Sequence, residues 1–260
     1  MKTILEKIVE DKKEELKKQK KNLPQEFLIE KISGLPHSRD FKRALKKQGL
    51  SLIAEIKKSS PSLGVIQENF DPVKLAKTYE LNGASAISVL TEKKYFDGNL
   101  SYLKVVKEAT TIPILRKDFI FDEYQIYESR VAGADAVLLI VSILDDKTLT
   151  KLLNLTKKLG LDALVETRTK EEIEKALKSG AEIIGINNRD LDTFKVDITR
   201  SISLCHLIPP NRVIVSESGI HDYKDMVKLE NSGVDAVLVG EALMKSKNVG
   251  KKIKELLGKS

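Results

Sequence analysis

Four stretches of the chain repeat one pattern: 82-NGASAISVL-90, 132-AGADAVLLI-140, 179-SGAEIIGI-186 and 232-SGVDAVLVG-240. Their glycines, Gly83, Gly133, Gly180 and Gly233, lie 50, 47 and 53 residues apart. Each follows an amphipathic helical pattern and precedes a β-branched apolar run. A glycine so placed ends a helix in the left-handed conformation. A short apolar run directly after it reads as a buried parallel strand. Between the copies lie four more strand candidates: 50-LSLIAEIK-57, 112-IPILRKD-118, 161-LDALVET-167 and 212-RVIVSES-218. The intervening helices carry start signals. Asp71-Pro72 offers an N-cap and a proline at the first helical position, and Thr169 with Glu172 reads as a capping box. Eight β-then-α units over residues 48–260 predict an α/β fold of one kind, a closed (β/α)8 TIM barrel. The alternative, an open doubly wound sheet, would need a topological switch point and usually has fewer strands.

Residues 1–47 stand outside this repeat and predict an N-terminal helical extension. A long helix runs to about Lys21, a loop follows near Asn22-Leu23-Pro24, and a further helix spans Asp40 to Lys47. Ile4, Leu5, Ile8 and Val9 form an apolar stripe that would pack the extension on the barrel. Together the two parts make one structural domain. The net charge of +7 permits an anionic partner. The positive charge is, however, mixed with Glu along every predicted helix, as on solvated faces. Even the densest basic run, Lys12 to Lys21, has no interleaved aromatics, and the chain has no Trp. No nucleic-acid partner is therefore expected. No apolar run is long enough to cross a membrane, and the charged N-terminus lacks the apolar core of a secretion signal. A cytoplasmic monomer is the expectation. The single cysteine, Cys205, excludes an internal disulfide and a Cys-based zinc cluster. In the patch SISLCHLI it reads as a buried, inert thiol.

Barrel enzymes carry their chemistry at the C-terminal ends of the strands. In 52-LIAEIKKSSPS-62, Glu55 and Lys57 share one face of the first strand, because strand side chains alternate. Other strands end in Lys117 then Asp118, in Glu166, in Asn187 followed by Asn188 and Arg189, and in Glu217 and Ser218. One such residue is ordinarily where a chain meets water. Charged or amide groups at five strand ends instead suggest a ring built for acid–base chemistry. Ser218-Gly219-Ile220 and Gly240-Glu241-Ala242 place small residues at the last two strand ends. Barrels often hold a phosphate there, on backbone N–H groups. Neither a nucleotide-binding glycine pattern nor a His-rich or Cys-rich cluster is present, so no nucleotide or metal is implied.

The stretches 53-IAEIKKSSPS-62, 89-VLTEKKYFDG-98, 113-PILRKDFI-120, 164-LVET-167, 184-IGINNRDLDTF-194, 216-SESGI-220 and 238-LVGEALM-244 resemble, in order and nearly end to end, the indole-3-glycerol phosphate synthase family. The N-terminal extension is similar too. That resemblance implies a carboxy-lyase of tryptophan biosynthesis. Its substrate would be the phosphorylated small molecule 1-(2-carboxyphenylamino)-1-deoxyribulose 5-phosphate, with no cofactor and no metal. It further implies Lys117 as general acid for ring closure. Lys57 would contact the substrate carboxylate and serve as an acid in dehydration, Glu166 and Glu55 would be catalytic carboxylates, and Asn187 would orient the substrate. Glu217 would line the same pocket, with Arg189 and Leu191 on a loop closing over it. Phe96, Phe119, Leu138 and Ile140 match apolar positions around the aromatic ring, and Ser60, Ser218, Gly219, Gly240 and Glu241 match a phosphate grip. Arg116 departs from many relatives, which carry a small or apolar residue before this lysine, but alternation turns its side chain away from the pocket. A related barrel isomerase would use a Cys and an Asp at strand ends, whereas Cys205 falls in a predicted helix. A basic scaffold protein would leave the strand-end charges unexplained.

Overall fold

A computed structural model describes residues 2–60, 64–65, 70–190 and 195–259. Eight parallel strands close into a barrel: β1 (Ser51–Ile56), β2 (Ala86–Leu90), β3 (Ile114–Lys117), β4 (Ala136–Ile140), β5 (Asp162–Thr167), β6 (Ile183–Asn187), β7 (Val213–Glu217) and β8 (Ala236–Val239). Each pairs with its sequence neighbours, and β1 closes the ring by pairing with β8, Ile53 opposite Leu238. All four repeat glycines have positive φ, between 90° and 104°. The helix-ending role read from the sequence is thus the one they play.

Three helices precede the barrel: α1 (Ile4–Asn22), α2 (Gln25–Ile32) and α3 (Phe41–Leu45). The last is shorter than the predicted Asp40–Lys47, with Asp40 as its cap accepting from the Arg43 N–H. Its Phe41 and Leu45 are fully buried with Ile53, Ala86, Leu115, Leu164 and Val213, plugging the N-terminal mouth of the barrel. Parity along the strands then fixes the opposite mouth. Ile53, Leu115, Leu164, Ile183 and Val215 belong to this inner core. Two residues on, in the same direction, come Glu55, Lys117, Glu166, Gly185 and Glu217. The alternate residues Leu52, Ala54, Ile114, Val165 and Ile184 pack outward against the helices.

Two local expectations are modified. Thr169 caps its helix through the Glu172 N–H, but the Glu172 carboxylate accepts from Arg168 rather than completing the box. Lys12, counted within a solvated basic run, is 5% exposed. It sits between buried Ile8 and Leu16 on the face that α1 turns to the barrel. The i, i+4, i+8 spacing was legible; its polar central member disguised it. Among the described residues, no helix is long and apolar enough to cross a membrane.

Candidate active site

Lys117 is the centre of the polar ring. Its Nζ donates to Glu166 Oε2 at 3.0 Å and to Glu217 Oε2 at 2.9 Å. Asn187 Nδ2 donates to the other Glu166 oxygen at 3.1 Å, and Asn187 Oδ1 accepts from the Arg189 N–H at 2.9 Å. Across the barrel, Lys57 Nζ lies 2.9 Å from Glu55 Oε1, so the acid and base that end β1 do share a face. Arg189 reaches over the mouth to Glu241, 3.0 Å away.

Burial disfavours charge on Lys117, but Glu166, Glu217 and Glu55 outweigh it and raise its pKa, so the ammonium persists at neutral pH. The same burial raises the carboxyls. For Glu166 the Lys117 charge and the Asn187 and Lys117 hydrogen bonds prevail, and its pKa is lowered. For Glu217 burial prevails over the attraction of Lys117, with Glu166 and Glu55 adding repulsion, and its pKa is pushed up to about 7. One carboxylate is thereby held ionised while its neighbour titrates near neutrality, a division suited to proton transfer.

The ring separates two lobes of one cavity. The lobe over β7 and β8, about 220 Å³, is lined by Ser218, Gly219, Ile220, His221, Gly240 and Glu241. The lobe over β2 to β5, about 150 Å³, is lined by Phe96, Phe119, Leu138, Ile140, Glu166 and Asn187. Glu55, Lys57, Lys117, Arg189 and Ser218 face both. Each lobe alone is smaller than a typical small-molecule site of roughly 300–1,000 Å³. A ligand of that size has to span both, past Lys117.

Sixteen of the seventeen site residues named from the sequence lie in described segments, and all but one of these line the cavity. The exception is Ser60, which pairs with Gly64 in a two-residue ladder beyond β1 and is not among the lining residues of either lobe. Leu191 lies outside the described residues. His221, read as a scattered histidine, lines the lobe over β7 and β8, and its position directly after Ser-Gly-Ile was the signal for it. Among the described residues, no group of three or more His, Cys, Asp or Glu is placed to hold a metal ion.

Two glycines make this geometry possible. Gly219 has φ +82°, and a Cβ there would come within 2.5 Å of Val196 Cγ1. Gly185 lies below Glu217, and its added Cβ would meet Glu217 Oε1 at 2.2 Å and Leu164 Cδ1 at 3.2 Å. Gly185→Ala is therefore expected to push the carboxylate off Lys117 and destabilise the fold by about 1–3 kcal/mol. Urea denaturation of the two proteins checks this; an unchanged midpoint would mean that Glu217 has room to move.

Behind the site, Arg116 faces outward as its parity requires, but into a buried polar cluster rather than an apolar layer. It pairs with Asp118 at 2.9 Å and Glu128 at 2.8 Å and donates to Thr91 Oγ1 at 3.2 Å. Asp118 also accepts from Thr91 Oγ1 at 2.7 Å and from the Phe119 N–H at 2.9 Å, and lies 3.2 Å from Lys12 Nζ.

A closed parallel barrel with a buried lysine–carboxylate ring at the C-terminal mouth is the architecture of a barrel enzyme built for proton transfer. The family model described as indole-3-glycerol phosphate synthase matches residues 5–256. The indole-3-glycerol phosphate synthase of Thermoanaerobacter pseudethanolicus is 54% identical over 242 residues, covering 93% of this chain and 92% of that protein. That of Dehalococcoides mccartyi strain CBDB1 is 52% identical over 258 residues, covering 98% and 100%. The chain belongs to the indole-3-glycerol phosphate synthase family, decarboxylating lyases of tryptophan biosynthesis. Solved structures share the fold at low identity. A 3-hexulose-6-phosphate synthase superposes with TM-score 0.66 at 16% identity, over 80% of this chain and 99% of its own. A thiamine phosphate pyrophosphorylase from Pyrococcus furiosus does so with TM-score 0.59 at 16% identity, over 80% and 94%.

Proposed function

We propose that the chain converts 1-(2-carboxyphenylamino)-1-deoxyribulose 5-phosphate to indole-3-glycerol phosphate, with Lys117 as the general acid of ring closure. The observation that carries this reading is the position of Lys117 Nζ, held between Glu166 and Glu217 where the two lobes meet. The phosphate would sit over Ser218, Gly219, Gly240 and the backbone of Glu241, and the carboxyphenyl ring between Phe96, Phe119, Leu138 and Ile140. The ribulose carbonyl would then lie over Lys117. The ring carbon bearing the carboxylate attacks the C2 carbonyl carbon, and Lys117 protonates the oxygen that becomes a hydroxyl. The C–CO2 bond breaks and its electron pair restores the aromatic ring. The hydroxyl then leaves as water with a proton from an acid, the role we assign to Lys57, while Glu166 removes the C1 proton. Substrate thus yields product, CO2 and water, with no net oxidation.

The electrostatics support this division. Glu166 is ionised and can take a proton; Glu217, titrating near 7, can return one to Lys117 after it has donated. Asn187 holds Glu166 in place, Glu55 holds Lys57, and Arg189 with the loop bearing Leu191 would close the mouth. A cytoplasmic location belongs to the same reading, through the biosynthetic enzymes to which the chain is similar. Purified protein supplied with the substrate is expected to form indole-3-glycerol phosphate, followed by indole absorbance. Folded protein that forms none would overturn the reading.

A further inference from the structure

The two aromatic walls of the cavity, Phe96 and Phe119, stand on the loops after β2 and β3, with ring centroids 6.2 Å apart. The β2 loop is internally braced. The Glu92 carboxylate accepts the N–H groups of Lys94, Tyr95 and Phe96 at 2.9, 2.7 and 3.1 Å. Gly98 packs so closely that a Cβ would lie 2.6 Å from the carbonyls of Leu90 and Glu92. Such a loop shifts as a unit. Toward β1 it is tied by the Ser59 N–H to the Phe96 carbonyl and by Lys58 to Asp97. Its other tie is to α1: Asp11 accepts from the Tyr95 hydroxyl and pairs with Lys94 at 2.7 Å. The next residue of α1, Lys12, pairs at 3.2 Å with Asp118, whose same oxygen accepts the Phe119 N–H. Adjacent residues of one helix therefore hold both aromatic loops. The helix itself is fixed at its far end, where Lys20 pairs with Asp122 at 2.8 Å, Tyr124 donates to the Leu23 carbonyl, and Leu16, Leu28 and Tyr124 cluster.

We propose that α1 is a specificity element of the active site: Asp11 and Lys12 clamp the β2 and β3 loops and set the position of Phe96 against Phe119, and so the fit of the substrate's aromatic ring. This rests on the functional reading above. Asp11, Lys12 and Tyr95 line neither lobe; they act as positioning residues. Loosening the clamp would weaken binding in the ring lobe and leave the anion lobe, on the far side over β7 and β8, as it was.

The test uses the full chain and its steady-state kinetics, with inorganic phosphate as a competing ligand. Asp11→Ala, Tyr95→Phe and Lys12→Met are each expected to raise the substrate KM about five- to tenfold. The inhibition constant of inorganic phosphate should stay within about twofold, and Lys12→Arg should restore KM. Asp11→Ala with Tyr95→Phe should raise KM no further than Asp11→Ala alone, because the pair is one interaction. An unchanged KM overturns the proposal. A parallel rise of KM and the phosphate constant also overturns it, since that reports general loosening. Should Lys12→Met fail to fold, the two variants at the solvent-facing tie decide. Wild-type protein that forms no indole defeats the functional reading itself, a separate outcome.

Discussion

Lys117→Ala is expected to lower turnover by about 10² or more, the range for loss of a positioned proton donor. Two features separate loss of the acid from loss of the site. The backbone of Gly219, Gly240 and Glu241, where the phosphate is proposed to sit, is untouched by the substitution, so inhibition by inorganic phosphate should persist in the variant although Lys117 also borders that lobe. Lys117→Arg should not rescue. A guanidinium keeps the charge between Glu166 and Glu217 but does not give up its proton at working pH. If positive charge alone were needed, the arginine variant would recover much of the rate. If proton transfer is needed, both variants stay low, with kcat and kcat/KM falling together, as for an interaction made in the transition state. Near-normal turnover in Lys117→Ala would remove the residue from the role. The environment of Lys117 explains why one substitution should do so much. The ammonium neutralises two buried carboxylates and is approached by a third, Glu55. Without it, Glu166 and Glu217 face each other with like charge, and both are driven toward the protonated form. On the proposed roles, the variant loses its acid and compromises its base in one step.

Much of this arrangement was legible from two periodicities. The glycine repeat marked four strands and the apolar runs between its copies the other four, to within about two residues, because a left-handed helix end and a buried apolar run are local consequences of sequence. Position at the strand ends brought Glu55, Lys117, Glu166 and Glu217 to one mouth of the barrel, and alternation put Glu55 and Lys57 on one face and turned Arg116 away. What stayed hidden depends on contacts between distant segments. Lys12 looked like one more solvated lysine, since nothing near it in sequence shows that Asp118 waits beneath. Arg116 was correctly turned away from the pocket, yet alternation says only which side a residue faces, not that the side is polar there. The difference between Glu166 and Glu217 was equally out of reach. Both are buried and both touch Lys117, but only Glu166 also receives the amide of Asn187.

Asp118→Ala should destabilise the fold by about 3–5 kcal/mol at neutral pH, since it leaves a buried cation without one of its partners. Asp118 is 2% exposed, and its carboxylate joins four segments: Lys12 of α1, Thr91 after β2, Arg116 of β3 and the Phe119 N–H. Burial works against the charge, but Arg116, Lys12 and the hydrogen bonds from Thr91 and Arg116 overcome it and hold the pKa at about 2, below the ordinary 3.8. A depressed carboxyl pKa means that the unfolded chain binds the proton more readily than the folded one. The resulting stability is fully present above pH 3.8 and is lost as pH falls through about 2. The shift corresponds to about 2 kcal/mol. Asp118→Asn removes the charge while keeping the shape, so it isolates this contribution. Urea midpoints of wild type and Asp118→Asn should differ by a constant amount from pH 7 down to pH 5 and converge between pH 4 and pH 2. Other acid-labile groups act on both proteins and cancel in the comparison. A gap that stays constant down to pH 2 would show that the carboxylate's ionisation is not what holds α1, β3 and the Phe119 loop together. A gap that closes as described ties α1 to β3 through one buried charge, placed one residue beyond Lys117.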